Sequence, residues 1–166
     1  FPGARMTQTD LEFMALPDAV FEDANLGEAW LTGSVMPGAC FHRACLVGAG
    51  LAGVEWEGAD LREANLVDVS FHLGSARSGL VDSPIASEGT RTGFYTDDFD
   101  QQYFKAPEEI RKANLRGADL RGAWVEKADF YLVDLREARY TTRQLRHFRQ
   151  CGAILEDRAL NNGPKS

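Results

Sequence analysis

The chain has 166 residues, a formal charge of −7 and 44% apolar residues, enough for one domain with a sizeable core or for a short stack of repeats. It is too acidic for a general attraction to nucleic acid phosphates or anionic lipid, and no run of 18 apolar residues could span a membrane. The three cysteines, Cys40, Cys45 and Cys151, are odd in number and lack paired zinc-ligand spacing, which points to reduced thiols in a cytoplasmic protein.

From the N-terminus the dominant signal is a period of five. Phe1, Met6, Leu11, Leu16, Phe21, Leu26, Leu31, Met36, Phe41, Leu46, Leu51, Trp56, Leu61, Leu66 and Phe71 form an unbroken series of large apolar residues. Two positions before them stand mostly small residues, among them Ala4, Ala19, Ala24, Ala39, Ala44, Ala59 and Ala64. On a helix every fifth residue advances about 500° and walks around the axis, and in a strand it alternates faces. The chain must therefore turn once per unit. This describes a solenoid in which each unit makes one short side and one corner, and several sides close around an interior with room for one large and one small side chain each. Coils stacked about 4.8 Å apart pair their backbone groups with the coils above and below, so each is stable only through its neighbours.

The units ANLGE, ADLRE, ANLVD, ANLRG, ADLRG and ADFYL resemble the A(D/N)LXX signature of the pentapeptide-repeat proteins, a resemblance that covers residues 1–71 and 113–140. It implies an all-β solenoid, a right-handed quadrilateral β-helix with four units per coil. Residues 20 apart should then stack, and Phe1, Phe21, Phe41 and Leu61 agree, as do Met6, Leu26, Leu46 and Leu66. The exception is the column Met14, Ser34 and Val54, beside Leu16, Met36 and Trp56. It carries more volume than an alanine-lined side accepts, so a widened or distorted face is expected there.

From Gly74 to Lys112 the period weakens. Ser78 with Leu80 and Ser83 with Ile85 fit the later register and suggest one or two degenerate units before ASEGTRTGFYTDDFDQQYFKAPEE leaves the coil. KAPEEIRKA adds a short helical turn with Pro107 at its start. The period resumes one residue out of phase at Leu115, Leu120, Val125, Phe130, Leu135 and Tyr140, the mark of an insertion. That insertion gathers Phe94, Tyr95, Phe99, Tyr103 and Phe104 among Asp97, Asp98 and Asp100, more aromatic surface than a solvated loop needs. Either the rings pack back over an exposed side of the coil, or they anchor a partner.

Beyond Tyr140, Thr141 and Gln144 have capping-box spacing, Leu145 and Phe148 share a helical face, and Gly152 suits a C-terminal stop. A helix over about 142–150 is expected to cover the last coil, whose apolar interior and backbone edges would otherwise be open. The organisation is thus one repeat domain, 1–157, with regular coils at 1–72 and 113–140, an irregular segment and inserted loop at 73–112, and a flexible tail at 158–166. The first coil shows no equivalent cover, Phe1 being already in register. Protection by another chain or by residues upstream is expected, the second being preferred.

Residues 1–72 hold 11 acidic and 3 basic side chains and residues 113–166 hold 7 and 10, so an acidic end and a mildly basic end are expected. Trp30 and Trp124 precede central residues and should point outward, Trp30 as a candidate anchor for a partner or a second subunit. Catalysis is not expected. His42, His72 and His147 share no site in the pattern, TDDFD lacks calcium-loop spacing, and there is no phosphate loop, dinucleotide glycine pattern or HExxH. No cofactor, metal, membrane or direct nucleic acid contact is expected.

The function read from this is a non-catalytic protein–protein interaction or scaffold module. It acts through its outer faces and the insertion, with Trp30, Phe94, Tyr95, Asp97, Asp98, Phe99, Asp100, Tyr103 and Phe104 as candidate partner-binding residues and a homodimer or end-to-end contact as a further option. The resemblance also implies a second, bacterial reading. Some members of the family protect DNA gyrase and topoisomerase IV from quinolones by mimicking duplex DNA in width and charge, which needs two continuous acidic strips. A spacer within a longer protein is the third reading.

Overall fold

Every pentapeptide ends in a tight turn whose geometry the sequence must tolerate. In the computed structural model, which describes residues 1–69, 71 and 112–156, the N–H of the small residue donates to the carbonyl of the preceding central residue. Ala24 reaches Phe21 at 3.0 Å, and Ala44 reaches Phe41 at 2.9 Å. The second turn residue has positive φ throughout, as a type II turn requires. Glycine fills this place at Gly38 (φ 68°) and Gly58 (φ 69°), but eleven non-glycine residues also adopt it, Phe13 and Leu132 among them (both φ 56°). Each of those costs on the order of 1–2 kcal/mol, which the surrounding stack must outweigh. The Asp or Asn before the central residue answers part of that cost. Its side chain accepts the N–H two residues on, as Asn25 does from Gly27 (3.1 Å), Asp60 from Arg62 (3.1 Å), Asn114 from Arg116 (3.0 Å) and Asp129 from Tyr131 (2.9 Å).

A single coil leaves the rest of its backbone unpaired, and its neighbours supply the partners. The residue before each central position forms an isolated parallel bridge to the residue 20 further on, as in Asn25 to Cys45, Trp30 to Gly50, Val35 to Glu55 and Cys40 to Asp60. Four such bridges per coil define four sides. Side one is centred on Phe1, Phe21, Phe41, Leu61 and Leu120, and side two on Met6, Leu26, Leu46, Leu66 and Val125. Side three is centred on Leu11, Leu31, Leu51, Phe71 and Phe130, and side four on Leu16, Met36, Trp56, Leu115 and Leu135. Only one residue per side is bridged, so the ladder runs along the stack rather than along any extended strand.

The phase slip has a simple origin. Glu55 bridges Asn114, Asp60 bridges Asp119 and Asn65 bridges Trp124, an offset of 59 in place of 20. The stack therefore passes from side three at Phe71 to side four at Ala113 and Leu115, and the 41 residues 72–112 stand where other corners have two. The excess of 39 is one short of eight pentapeptides, which explains the shifted register. The degenerate units expected at Ser78–Leu80 and Ser83–Ile85, the helical turn at KAPEEIRKA and the C-terminal tail lie outside the described residues.

The interior is filled from coil to coil. The rings of Phe1 and Phe21 stack at 5.2 Å and those of Phe21 and Phe41 at 5.0 Å. Side one next supplies only Leu61, and the ladder is continued by Trp56 of side four, 4.3 Å from the Phe41 ring. The Trp56 indole N–H donates to Ser34 Oγ at 3.0 Å, both residues being fully buried. The distortion expected on side four is not found in its backbone ladder. Leu16 N–H reaches the Val35 carbonyl at 2.9 Å, and Met36 N–H reaches that of Glu55 at 2.9 Å. The small Ser34 and the lean of Trp56 over side one accommodate the extra volume, while Met14, in the first coil, is 45% exposed.

At the other end helix α1, Thr142–Cys151, has the Thr141–Gln144 capping box and a left-handed Gly152 after its last turn. Gln144 Nε2 donates to the carbonyls of Leu120 (2.7 Å) and Ala123 (2.9 Å), and His147 Nε2 to that of Ala128 (3.0 Å). Phe148 lies on Phe130 with ring centres 4.6 Å apart. The helix thus occupies the Ala123 and Ala128 carbonyls, which would otherwise await a further coil, and shares the Leu120 carbonyl with the Ala123 N–H; Ile154 then adds one more bridge, to Asp134.

The Trp56–Ser34 bond makes a measurable prediction. Trp56→Phe and Ser34→Ala each leave one buried polar group unpaired and should each destabilise by about 1–3 kcal/mol. The double substitution should cost less than the sum by about 1 kcal/mol in denaturant titrations, and strict additivity would contradict the bond.

Candidate interaction surface

With the interior filled, whatever chemistry the chain performs rests on outward positions. Among the described residues no group of three or more His, Cys, Asp or Glu converges as a metal site. His42 lies half-buried on a corner, 3.2 Å from Glu22 Oε1, while His147 is engaged on α1; His72 lies outside the described residues. Cys40 and Cys45 are half-buried on adjacent sides. Cys151 is buried beneath α1, and burial pushes its thiol up to about 11.

The charged residues are organised by the stack. On the corner after side one, successive coils carry Asp23, Arg43 and Glu63, alternating in sign. Arg43 grips Asp23 through two bonds of 2.7 Å and reaches Glu22 at 3.2 Å, which holds the Asp23 carboxyl below its usual range. Elsewhere an Arg two residues after an Asp folds back on it, as Arg62 does on Asp60 (2.6 Å) and Arg121 on Asp119 (2.6 Å). These bonds hold the Asp60 and Asp119 carboxyls low. Burial works to raise Asp134, but its bonds from Arg136, one at 2.5 Å, outweigh that and leave it low as well. Among the described outward columns, acidic residues follow one another in successive coils only at Asp60 and Asp119, each already paired to its own arginine. The described residues therefore form no continuous acidic strip.

Apolar exposure is concentrated differently. Trp30 on side three is 60% exposed and is bridged to Gly50, which offers no side chain to cover it. Across the next corner Val35 is 38% exposed, and one coil below that corner Phe13 is 68% exposed. Trp124, 61% exposed, stands on side two at the far end of the stack. The outward direction expected for both tryptophans is thus seen. Phe13 and Val35 escaped sequence reasoning, although an aromatic at a position given elsewhere to glycine or charge was an available signal. Phe94, Tyr95, Asp97, Asp98, Phe99, Asp100, Tyr103 and Phe104 lie outside the described residues. The segment that holds them departs after Phe71, at the same corner column that carries Phe13.

The sequence matches pentapeptide repeats, in eight copies, over residues 16–51 and 113–139. Among solved structures it is similar to a pentapeptide repeat protein from the Arabidopsis thaliana thylakoid lumen, at 18% identity over 98% of this chain and 83% of that one, with a TM-score of 0.56. It is also similar to Rfr23, a pentapeptide repeat protein from the cyanobacterium Cyanothece 51142, at 18% identity over 89% of this chain and 64% of that one (TM-score 0.47). A third, QnrB1, a plasmid-mediated fluoroquinolone resistance protein, shares 16% identity over 90% of this chain and 61% of that one (TM-score 0.30). The first shares the fold, and the other two superpose too loosely to carry an argument. No curated protein matches the chain.

The three thiols should separate in a simple labelling experiment. Native protein treated with iodoacetamide should gain adducts at the half-buried Cys40 and Cys45, and Cys151 should react only after unfolding. Native labelling of Cys151 at the rate of the other two would contradict its burial.

Proposed function

The chain is a pentapeptide-repeat protein, and we propose that it serves as a non-catalytic protein-binding scaffold, a right-handed four-sided β-helix that presents anchors on its outer faces. The observation that carries this reading is the exposure of Trp30 beside Val35 and Phe13, on the column from which the aromatic insertion departs. Exposed aromatic side chains on a rigid support are the residues that dominate binding energy in protein interfaces, because they bury large area at little entropic cost. Phe94, Tyr95, Phe99, Tyr103 and Phe104 add further anchors, and Asp97, Asp98 and Asp100 would bias the partner towards a basic surface. Unpaired Cys40, Cys45 and Cys151 fit a reducing, cytoplasmic compartment. The scatter of acids over the outward columns, with Glu22, Asp23, Asp60, Asp119 and Asp134 paired to arginine, weighs against mimicry of duplex DNA, which would need unbroken rows of free negative charge.

The test is capture from native extract, read by mass spectrometry, with the intact protein, a Trp30→Ala variant and a chain lacking residues 86–107. A partner held by the intact protein and depleted about tenfold or more by either change is expected, as for loss of a hot-spot residue. A partner set indifferent to all three would contradict the proposal, and a topoisomerase retained by the intact protein would favour the mimicry reading instead.

A further inference from the structure

We propose that the outward column Asp10, Trp30 and Gly50 on side three is a binding slot for an arginine side chain of a partner protein. This names the chemistry of the contact and rests on the reading of Trp30 as a partner anchor. The column is held rigidly by the stack. Trp30 donates its backbone N–H to the Thr9 carbonyl (3.0 Å) and accepts the Leu11 N–H (2.7 Å), and one coil up Gly50 does the same with Ala29 (3.0 Å) and Leu31 (2.9 Å). Outward side chains of adjacent coils therefore rise side by side, about 4.8 Å apart. Asp10 places a carboxylate on one side of the indole, and Gly50 leaves the other side without a side chain. Neither backbone nor packing demands that glycine. Gly50 lacks the positive φ of the turn glycines, and a Cβ there would meet Thr32 Oγ1 at 3.8 Å, an ordinary contact. Among the described residues it is the one glycine at a bridged position of the stack.

Charge selects the guest. Residues 6–42 contain no lysine or arginine. Acids elsewhere on the coils are gripped by arginine, as Asp23, Asp60, Asp119 and Asp134 are. Asp10 instead accepts the Glu12 N–H (3.0 Å), and Glu28, two residues before Trp30, accepts from the neutral Gln8 amide (2.8 Å). Among the described residues neither carboxylate meets a cation, so the exposed indole stands between two acids that the stack does not neutralise. A guanidinium fits that setting, because it stacks flat on an indole while its in-plane N–H groups reach carboxylates at the edge, whereas a lysine ammonium has no flat face. Trp124 is the internal control. It is exposed to the same extent, 61% against 60%, but it is bridged to Asn65 and is followed three residues later by Lys127.

The test is a titration of the full chain with N-acetylarginine methylamide, read in amide and indole N–H correlation spectra. The Trp30 indole and the Gly50 amide should shift with a Kd on the order of 10 mM, and the Trp124 indole should respond about threefold or more weakly. N-acetyllysine methylamide should bind Trp30 about threefold or more weakly as well. Asp10→Asn combined with Glu28→Gln should weaken the arginine response about 10-fold, with the Asn oxygen still able to accept the Glu12 N–H. Gly50→Leu should abolish the response by filling the slot. No shift at Trp30 up to about 100 mM, equal shifts at Trp124, an equal response to the lysine probe, or a response that survives either variant would each overturn the proposal. Should a variant lose its dispersed spectrum, the two comparisons in the unaltered chain decide alone. The scaffold reading is scored separately. A partner captured through Trp30 without an arginine shift discards the slot and keeps the scaffold, and the shift without a captured partner does the reverse.

Discussion

The structure depends on one arrangement of hydrogen bonds, the pairing of a single residue per side with the equivalent residue one coil away. Because the bridged residue spends both its N–H and its carbonyl on the coil below, as Cys45 does on the Ala24 carbonyl and the Leu26 N–H, while the flanking Ala44 carbonyl and Leu46 N–H pair with Asn65 above, no coil is complete without both neighbours. The spacing of coils in turn fixes what the interior can hold. Sides this short, stacked this closely, leave room for a large residue only where the adjoining inward position is small, which is why Ala24, Ala44 and Ala64 accompany Leu26, Leu46 and Leu66. The phenylalanine ladder from Phe1 to Phe41 is the same constraint expressed in rings, since coil spacing is close to the spacing at which aromatic faces stack.

Such a stack must be ended and held in register. Helix α1 does the first by placing Gln144 and His147 against carbonyls of the last full coil and Phe148 against Phe130. Charges on the corner after side one assist the second, for Arg43 joins its own coil to Asp23 in the coil below. Arg116 likewise joins its coil to Glu137 in the next. The positions left over, where charge gives way to Trp30, Val35 and Phe13, are those that invite a functional reading.

Much of this was legible in the sequence because a pentapeptide period is local information. The inward rows, the outward tryptophans and the Thr141–Gln144 box follow from spacing, and the four sides from the family resemblance, with which the columns of residues 20 apart agree. Features made by residues distant in sequence were harder to see. Ser34 and Trp56 looked like a packing fault until the indole N–H was placed on the serine oxygen and the ring over Phe41. The phase slip announced an insertion but not which sides of the stack it joins. Only the pairing of Glu55 with Asn114 shows that the stack passes from Phe71 to Ala113.

The most direct measurement on the central claim uses that offset. Replacing residues 72–112 by two residues restores the spacing of 20, whereas replacing them by three moves each later inward side chain one place out of register. Hydrogen exchange at the amides of Asn114, Asp119 and Trp124, which donate to Val54, Ala59 and Ala64 across the splice, reads the outcome residue by residue. The account predicts protection at all three amides with two residues and its loss with three. Equal protection in both chains, or none with two residues, would contradict it.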